Sequence, residues 1–276
     1  MGDQGSGTAV GAVGCDLTYE VAEPARLVVQ VCAYRELPDM RFIVTTDDGD
    51  LPAEEVSGSW ADGGRQHLLL LPPGRARVSY QATVPNGPPA TPVPLTALDR
   101  IVAVRPSRYC PSDRLGGFAA ARIDRSRADA DVVRAVCDYV HGHTVYAAGA
   151  SGPSTDAADT LLAGQGVCRD FAHLTVALCR ALDIPARVVA VYAPGLTPMD
   201  FHLVAEVAVD GHWYVWDSTR LAPRQSLVRI ATGRDAADVA FGTMLDGQVE
   251  MSEMIVSAVA PGILPIDDHE GLVALH

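Results

Sequence analysis

At 276 residues, with 48% hydrophobic and 20% charged side chains, the chain holds enough apolar material for one large domain or two ordinary ones and too much for extended disorder. Its formal net charge of −13 argues against non-specific binding to nucleic acid or an anionic membrane, which needs a basic face. No window approaches the roughly 20 apolar residues of a membrane span, and the opening MGDQGSGTAVGAVG has neither the basic start nor the apolar run of a secretory signal, so a cytoplasmic location is expected.

Residues 1–14 read as a flexible lead-in. Residues 15–95 form a β-rich unit: LTYEV, ARLVVQVCAY, MRFIVTTD, HLLLL and RARVSYQATV are short β-branched or aromatic runs separated by the turn signals DDGD, DGG and PPG. They predict a small antiparallel sheet or sandwich. The stretch VPNGPPATPVP, from Val84 to Pro94, reads as a linker. From residue 96 to 276 the pattern changes. Asp113 to Ile123 and Asp129 to Val140 have helical spacing, a short helix follows around Asp156 to Leu162, and a longer one begins at Cys168 and ends near Asp183, where Ile184-Pro185 stops it. ARVVAVYA, FHLVAEVAV, HWYVWD and MIVSAVA read as strands. Helices followed by an antiparallel sheet, behind a small β-sandwich-like module, make the fold class α+β.

The six cysteines, Cys15, Cys32, Cys110, Cys137, Cys168 and Cys179, form no CxxC pair and no cluster of zinc-ligand spacing. Free thiols are expected, with neither metal nor cofactor. Cys168 differs from the others. It follows a Gly-Gln-Gly turn and opens the helix whose apolar stripe is Phe171, Leu174, Leu178 and Leu182. A thiol in a helix's first turn lies beside unpaired backbone N–H groups and the positive end of the helix dipole, which favour the nucleophilic thiolate.

A partner for that sulfur is legible in FHLVAEVAV-DG-HWYVWD. Asp210-Gly211 between alternating apolar residues signals a two-residue hairpin. If those residues form the turn, Val209 pairs with His212, Asp217 falls opposite Val204, and His202 and Asp217 become diagonal neighbours on one face. A histidine oriented by a carboxylate and facing a helix-terminal cysteine is the arrangement of base, orienter and thiol nucleophile. Taken one at a time, a cysteine is more often a buried hydrophobe and a strand histidine a merely satisfied side chain. The hairpin register is what raises the three together.

The run G-x-G-V-C-R-D-F-A-H-L, then D-I-P-A-R, D-F-H in one strand and W-D-S-T at the end of the next, resembles the transglutaminase-like superfamily, and more closely its bacterial and archaeal branch of cysteine proteases. The likeness runs from about Arg108 to Ala260, and the β module is similar to the region that often precedes the core in that branch. It implies a papain-like core with Cys168 as nucleophile, His202 as base and Asp217 as orienting acid. A carboxamide or peptide carbonyl would form a thioester on Cys168, released by water or by an amine. Ser218 departs from the family, where proline often follows the aspartate.

Hydrolysis is favoured, because the chain shows no calcium-site motif. The alternatives are an amine-accepting transglutaminase or amide synthase and, from a different class, a non-catalytic binding module on the same core. The expected partner is a peptide, protein or carboxamide substrate, with no nucleic acid and no membrane; oligomeric state is not legible. Gln165 and Tyr146 are candidate oxyanion donors beside the Cys168 backbone N–H. Asp170 and His173 are expected to support the site, His173 being a turn and a half beyond Cys168. His141-Gly-His143 reads as a solvated helix end, GRDAADVAF as an N-capped, salt-bridged helix, and Trp213 and Trp216 as core.

Overall fold

The computed structural model describes residues 11–56 and 64–275. Of the expected lead-in, residues 1–10 lie outside them, and Gly11 already begins a strand, held by pairing of Gly11 with Val84 and Ala12 with Val259. That strand, β1 (Gly11–Val29), pairs along its first half with β6 (Gly74–Val84) and along its second with β5 (Gln66–Leu71). β2 (Arg41–Thr46) and β3 (Gly49–Asp50) extend the sheet beyond β6, and β4 (Glu54–Val56) extends it beyond β5. Alternation decides the inner face. Ala76, Val78, Tyr80 and Ala82 point inward while Arg75, Arg77 and Gln81 point to solvent.

The seventh strand of this sheet comes from the other end of the chain. Gly242–Val259 runs antiparallel along nearly all of β1, from Val29 opposite Gly242 to Ala12 opposite Val259. The sequence reading placed those residues with the second unit, and its MIVSAVA run is the last part of this strand.

The linker ends as structure. β7 (Val93–Pro94) pairs with His212 and Trp213 at the edge of the second sheet. Then come α1 (Ala97–Val102), α2 (Gly116–Arg122), α3 (Asp129–His143), β8 (Val145–Tyr146), α4 (Ala157–Ala163), β9 (Gln165–Gly166) and α5 (Cys168–Ala181). The antiparallel strands β10 (Ala186–Tyr192), β11 (Phe201–Val209), β12 (His212–Trp216) and β13 (Val228–Gly233) follow, then α6 (Ala236–Val239) and β14 (Gly242–Val259). The second sheet has the order β13-β10-β11-β12-β7. The fold is thus α+β: helices packed on an antiparallel sheet, behind a curled antiparallel sheet.

Helix α5 is the axis of the second unit. Every residue from Asp170 to Arg180 is buried, with Phe171, Leu174 and Leu178 packed against Leu203, Ala205 and Val207 of β11. Each such apolar side chain contributes about 1.5–3 kcal/mol, and Leu174→Ala would cost about 2–5 kcal/mol. No helix among the described residues is long and apolar enough to cross a membrane.

Candidate active site

The Gly-Gln-Gly turn is built by two glycines with different tasks. Gly164 ends α4 in the left-handed conformation (φ 64°), the usual helix C-cap. At Gly166 a Cβ would lie 2.6 Å from the Cβ of Asp170, so only glycine leaves room for that carboxylate. Asp170, wholly buried at the third position of α5, accepts the backbone N–H of Val167 at 2.8 Å. It also accepts the hydroxyl of Ser151 and, at 3.1 Å, Nη2 of Arg169. Arg169 donates in turn to Ser151 Oγ (3.0 Å) and to the Gly152 carbonyl (2.9 Å). Valine has no acceptor, so Asp170 alone caps the helix, and with Arg169 it ties the 147–154 loop to the turn that presents Cys168. Cys168 is half-buried; the other five cysteines are buried and unpaired.

The hairpin has the register expected of it. Asp210 (φ 47°) and Gly211 (φ 75°) form the two-residue turn, and Val209 pairs with His212. The ladder stops at Trp216, opposite Ala205, and just beyond it Asp217 Oδ2 meets His202 Nε2 at 2.9 Å. The other carboxylate oxygen accepts the Thr219 backbone N–H (2.9 Å) and its hydroxyl (2.7 Å). Thr219 was not anticipated, although an aspartate two residues before a threonine is a turn signature.

Both members of this pair are buried. Desolvation alone would lower the His202 pKa, but the Asp217 charge and hydrogen bond, joined by Cys168, outweigh it and hold the ring near 10. Burial likewise works to raise Asp217, and the charge and hydrogen bond of His202, with those of Thr219, bring it below the usual carboxylate range. Cys168 acts on the His202 ring both as a hydrogen-bonding and as a charged neighbour. His202 Nδ1, the nitrogen Asp217 does not use, is nonetheless buried without a formed hydrogen bond. Thiol and ring are therefore close enough to interact, with no hydrogen bond formed at Nδ1.

Helix and hairpin are fastened together one residue along. Thr175 Oγ1 on α5 and Ser218 Oγ lie 2.7 Å apart, and the Ser218 carbonyl meets His141 Nδ1 at 3.0 Å. Serine in place of proline at 218 thus supplies a hydroxyl that pins the neighbour of Asp217 to the helix that carries Cys168. His141 and His143 each turn Nδ1 to a backbone carbonyl, His143 to that of Tyr139 at 2.9 Å, and among the described residues no group of three or more His, Cys, Asp or Glu is placed to hold a metal ion.

The remaining expectations divide. Tyr146 lies beside Cys168, its hydroxyl close to the Cys168 backbone N–H; burial and the Cys168 charge push its pKa up to about 12. Gln165 is exposed, and its side chain makes no hydrogen bond among the described residues. His173 points away from Cys168: its Nε2 accepts the Ala236 N–H at 3.0 Å, its ring stacks on Tyr109, and burial lowers its pKa to about 4. A neutral ring that accepts a backbone N–H braces α6. Asp235 caps that helix and Arg234 pairs with Asp238, as the sequence suggested. Trp213 and Trp216 are buried.

A family profile described as the transglutaminase-like superfamily matches residues 118–218, the stretch holding Cys168, His202 and Asp217. A solved structure described as a candidate cysteine protease from Cytophaga hutchinsonii superposes with a TM-score of 0.84 at 33% identity, covering 94% of this chain and 92% of that one. The chain belongs to the transglutaminase-like superfamily. An uncharacterised protein of Mycobacterium leprae (strain TN) is 28% identical over 158 residues, 53% of this chain; the match spans 56% of that relative's length.

Proposed function

We propose that this protein is a thiol hydrolase of amide or peptide bonds, with Cys168 as nucleophile, His202 as general base and acid, and Asp217 as the group that orients the imidazole. The observation that carries it is the buried 2.9 Å hydrogen bond from His202 to Asp217, which leaves the other ring nitrogen for the Cys168 thiol. His202 takes the thiol proton, Sγ attacks the carbonyl carbon, and the carbonyl oxygen becomes an oxyanion beside the Cys168 N–H and the Tyr146 hydroxyl. When the C–N bond breaks, the imidazolium gives its proton to the leaving amine and a thioester remains on Cys168. Water, deprotonated by His202, then attacks the thioester; the acid leaves and the thiol is restored. An amine in place of water would give acyl transfer.

A peptide library incubated with and without a primary amine, wild type against Cys168→Ala, tests this reading by mass spectrometry. New C-termini that depend on Cys168 are expected. Amine adducts without cleavage would overturn hydrolysis in favour of transfer, and no Cys168-dependent product would overturn the enzyme reading itself.

A further inference from the structure

A cavity of about 650 Å³ opens where the curled sheet meets the second unit, and none of Cys168, His202 or Asp217 lines it. It lies at the opposite end of α5. Arg180, in the last turn, lines it, and twelve helical residues place Arg180 about 18 Å along the axis from Cys168. The volume falls in the range of small-molecule sites, roughly 300–1,000 Å³.

Four arginines line this cavity in a chain whose net charge is −13: Arg105, Arg180, Arg187 and Arg234. Two are matched by carboxylates, Arg187 by Glu206 at 2.7 Å and Arg234 by Asp238 at 2.8 Å. Arg180 is not. It is buried, and its hydrogen bonds go to neutral acceptors: the carbonyls of Ala103 (3.1 Å), Ala186 (2.9 Å) and Arg234 (2.7 Å), and the Ser107 hydroxyl (3.0 Å). Asp235 acts on it only through space, and Arg234 opposes that effect. A buried guanidinium without a carboxylate on it projects a positive field that water cannot screen. Arg105 is exposed at the cavity and makes no ion pair or side-chain hydrogen bond among the described residues. Asp99, the other lining carboxylate, is committed to the N–H and hydroxyl of Thr96, the cap of α1.

The remaining wall is mainly apolar, with Gln30, Gln66, Thr232 and Thr243 as its polar members, and it borders one buried donor without a partner. Trp213 is buried, the Arg187 guanidinium lies 4.1 Å over its ring, and its Nε1–H has no partner among the described residues. Leu98, largely exposed on α1, borders the same space. Positive charge at the mouth and in the wall, beside an indole and aliphatic side chains, fits one class of ligand. We propose that this cavity is a second binding site, distinct from the Cys168 site, for a small amphiphilic anion: a carboxylate or phosphate head on an apolar body, with the head at Arg105 and Arg180. The proposal does not depend on what Cys168 does.

The test uses the full chain and the apolar anionic dye 8-anilinonaphthalene-1-sulfonate, followed by energy transfer from tryptophan. One saturable site is expected, at least fivefold weaker in Arg105→Glu and in Leu98→Glu, two exposed positions whose variants should keep the wild-type circular dichroism and Tm. Hexanoate or hexyl phosphate should displace the dye, and whichever acts at lower concentration identifies the head group; hexanol should not. The Ile263→Ser, Ile266→Ser variant, which removes two fully exposed isoleucines of the C-terminal segment, should bind as wild type does. Four outcomes would each overturn the proposal: no saturable binding, affinity unchanged in Arg105→Glu, binding lost in the isoleucine variant, or displacement by hexanol as effective as by hexanoate.

Discussion

Asp217 holds His202 by one oxygen and is itself held by the other. Thr219 fixes Oδ1, which leaves Oδ2 a single orientation toward the ring. Asp217→Asn would keep the shape and remove the charge that raises His202, so turnover should fall by roughly 10³–10⁴. Iodoacetamide labelling of Cys168 at pH 5.5 should then be slower than in wild type; unchanged labelling would remove Asp217 from the site. The pair also sets a pH dependence of stability. The folded His202 value, about 10, exceeds its ordinary 6.5, so that contribution is complete below about pH 6.5 and is lost as pH rises toward 10. Asp217 lies below its ordinary 3.8, so its contribution is present above that and lost as pH falls further. Thermal melts should therefore show Tm falling from pH 6.5 to 9.5, and falling less in Asp217→Asn. Equal slopes would show that other groups govern the decline.

At the scale of elements, α5 shows what the sequence could and could not say. Its apolar stripe and its start after Gly-Gln-Gly were legible, and so was the hairpin register, because Asp-Gly at a turn and alternation in the strands leave little freedom. The stripe implies a polar face in water, but the helix is buried on all sides. Its polar residues are instead answered by distant partners: Asp170 by Ser151, His173 by Ala236, Thr175 by Ser218 and Arg180 by Ala103. Such pairings span up to 77 residues, and no local period encodes them. β11 is similar: its Glu206, alternating with apolar neighbours, is buried between Arg187 and Arg229. The Thr175–Ser218 contact gives a direct test. Ser218→Ala should cost about 1–2 kcal/mol in denaturant unfolding while Cys168 still labels at pH 5.5. Asp170→Asn should cost about 2–3 kcal/mol and slow that labelling, because the turn presenting the thiol loses its anchor. If Asp170→Asn changes stability alone, it braces the loop without positioning Cys168.

For the whole molecule, the decisive fact is that the two ends of the chain share one sheet. β1 and β14 pair from Ala12–Val259 to Val29–Gly242, and everything around Cys168 lies between them in sequence. A break after residue 95 looked natural from the Pro-rich stretch, because composition reports local stiffness and not which distant strand completes a sheet. Further bonds cross between the units: Tyr192 donates its hydroxyl to the Val31 carbonyl at 2.7 Å, Gln30 N–H to Phe241, and Tyr34 N–H to Arg229. Unfolding either unit alone would strip β1 or β14 of its partner and expose a long unpaired edge in water. The cost of that edge couples the units. Differential scanning calorimetry of the full chain should therefore show one transition, with van't Hoff and calorimetric enthalpies agreeing. A chain ending at residue 241 should lose that transition and aggregate, although Cys168, His202 and Asp217 are all still present. Two resolved transitions in the full chain, or a cooperative and soluble 1–241 fragment, would show that the shared sheet is an attachment and not the element that makes the fold one unit.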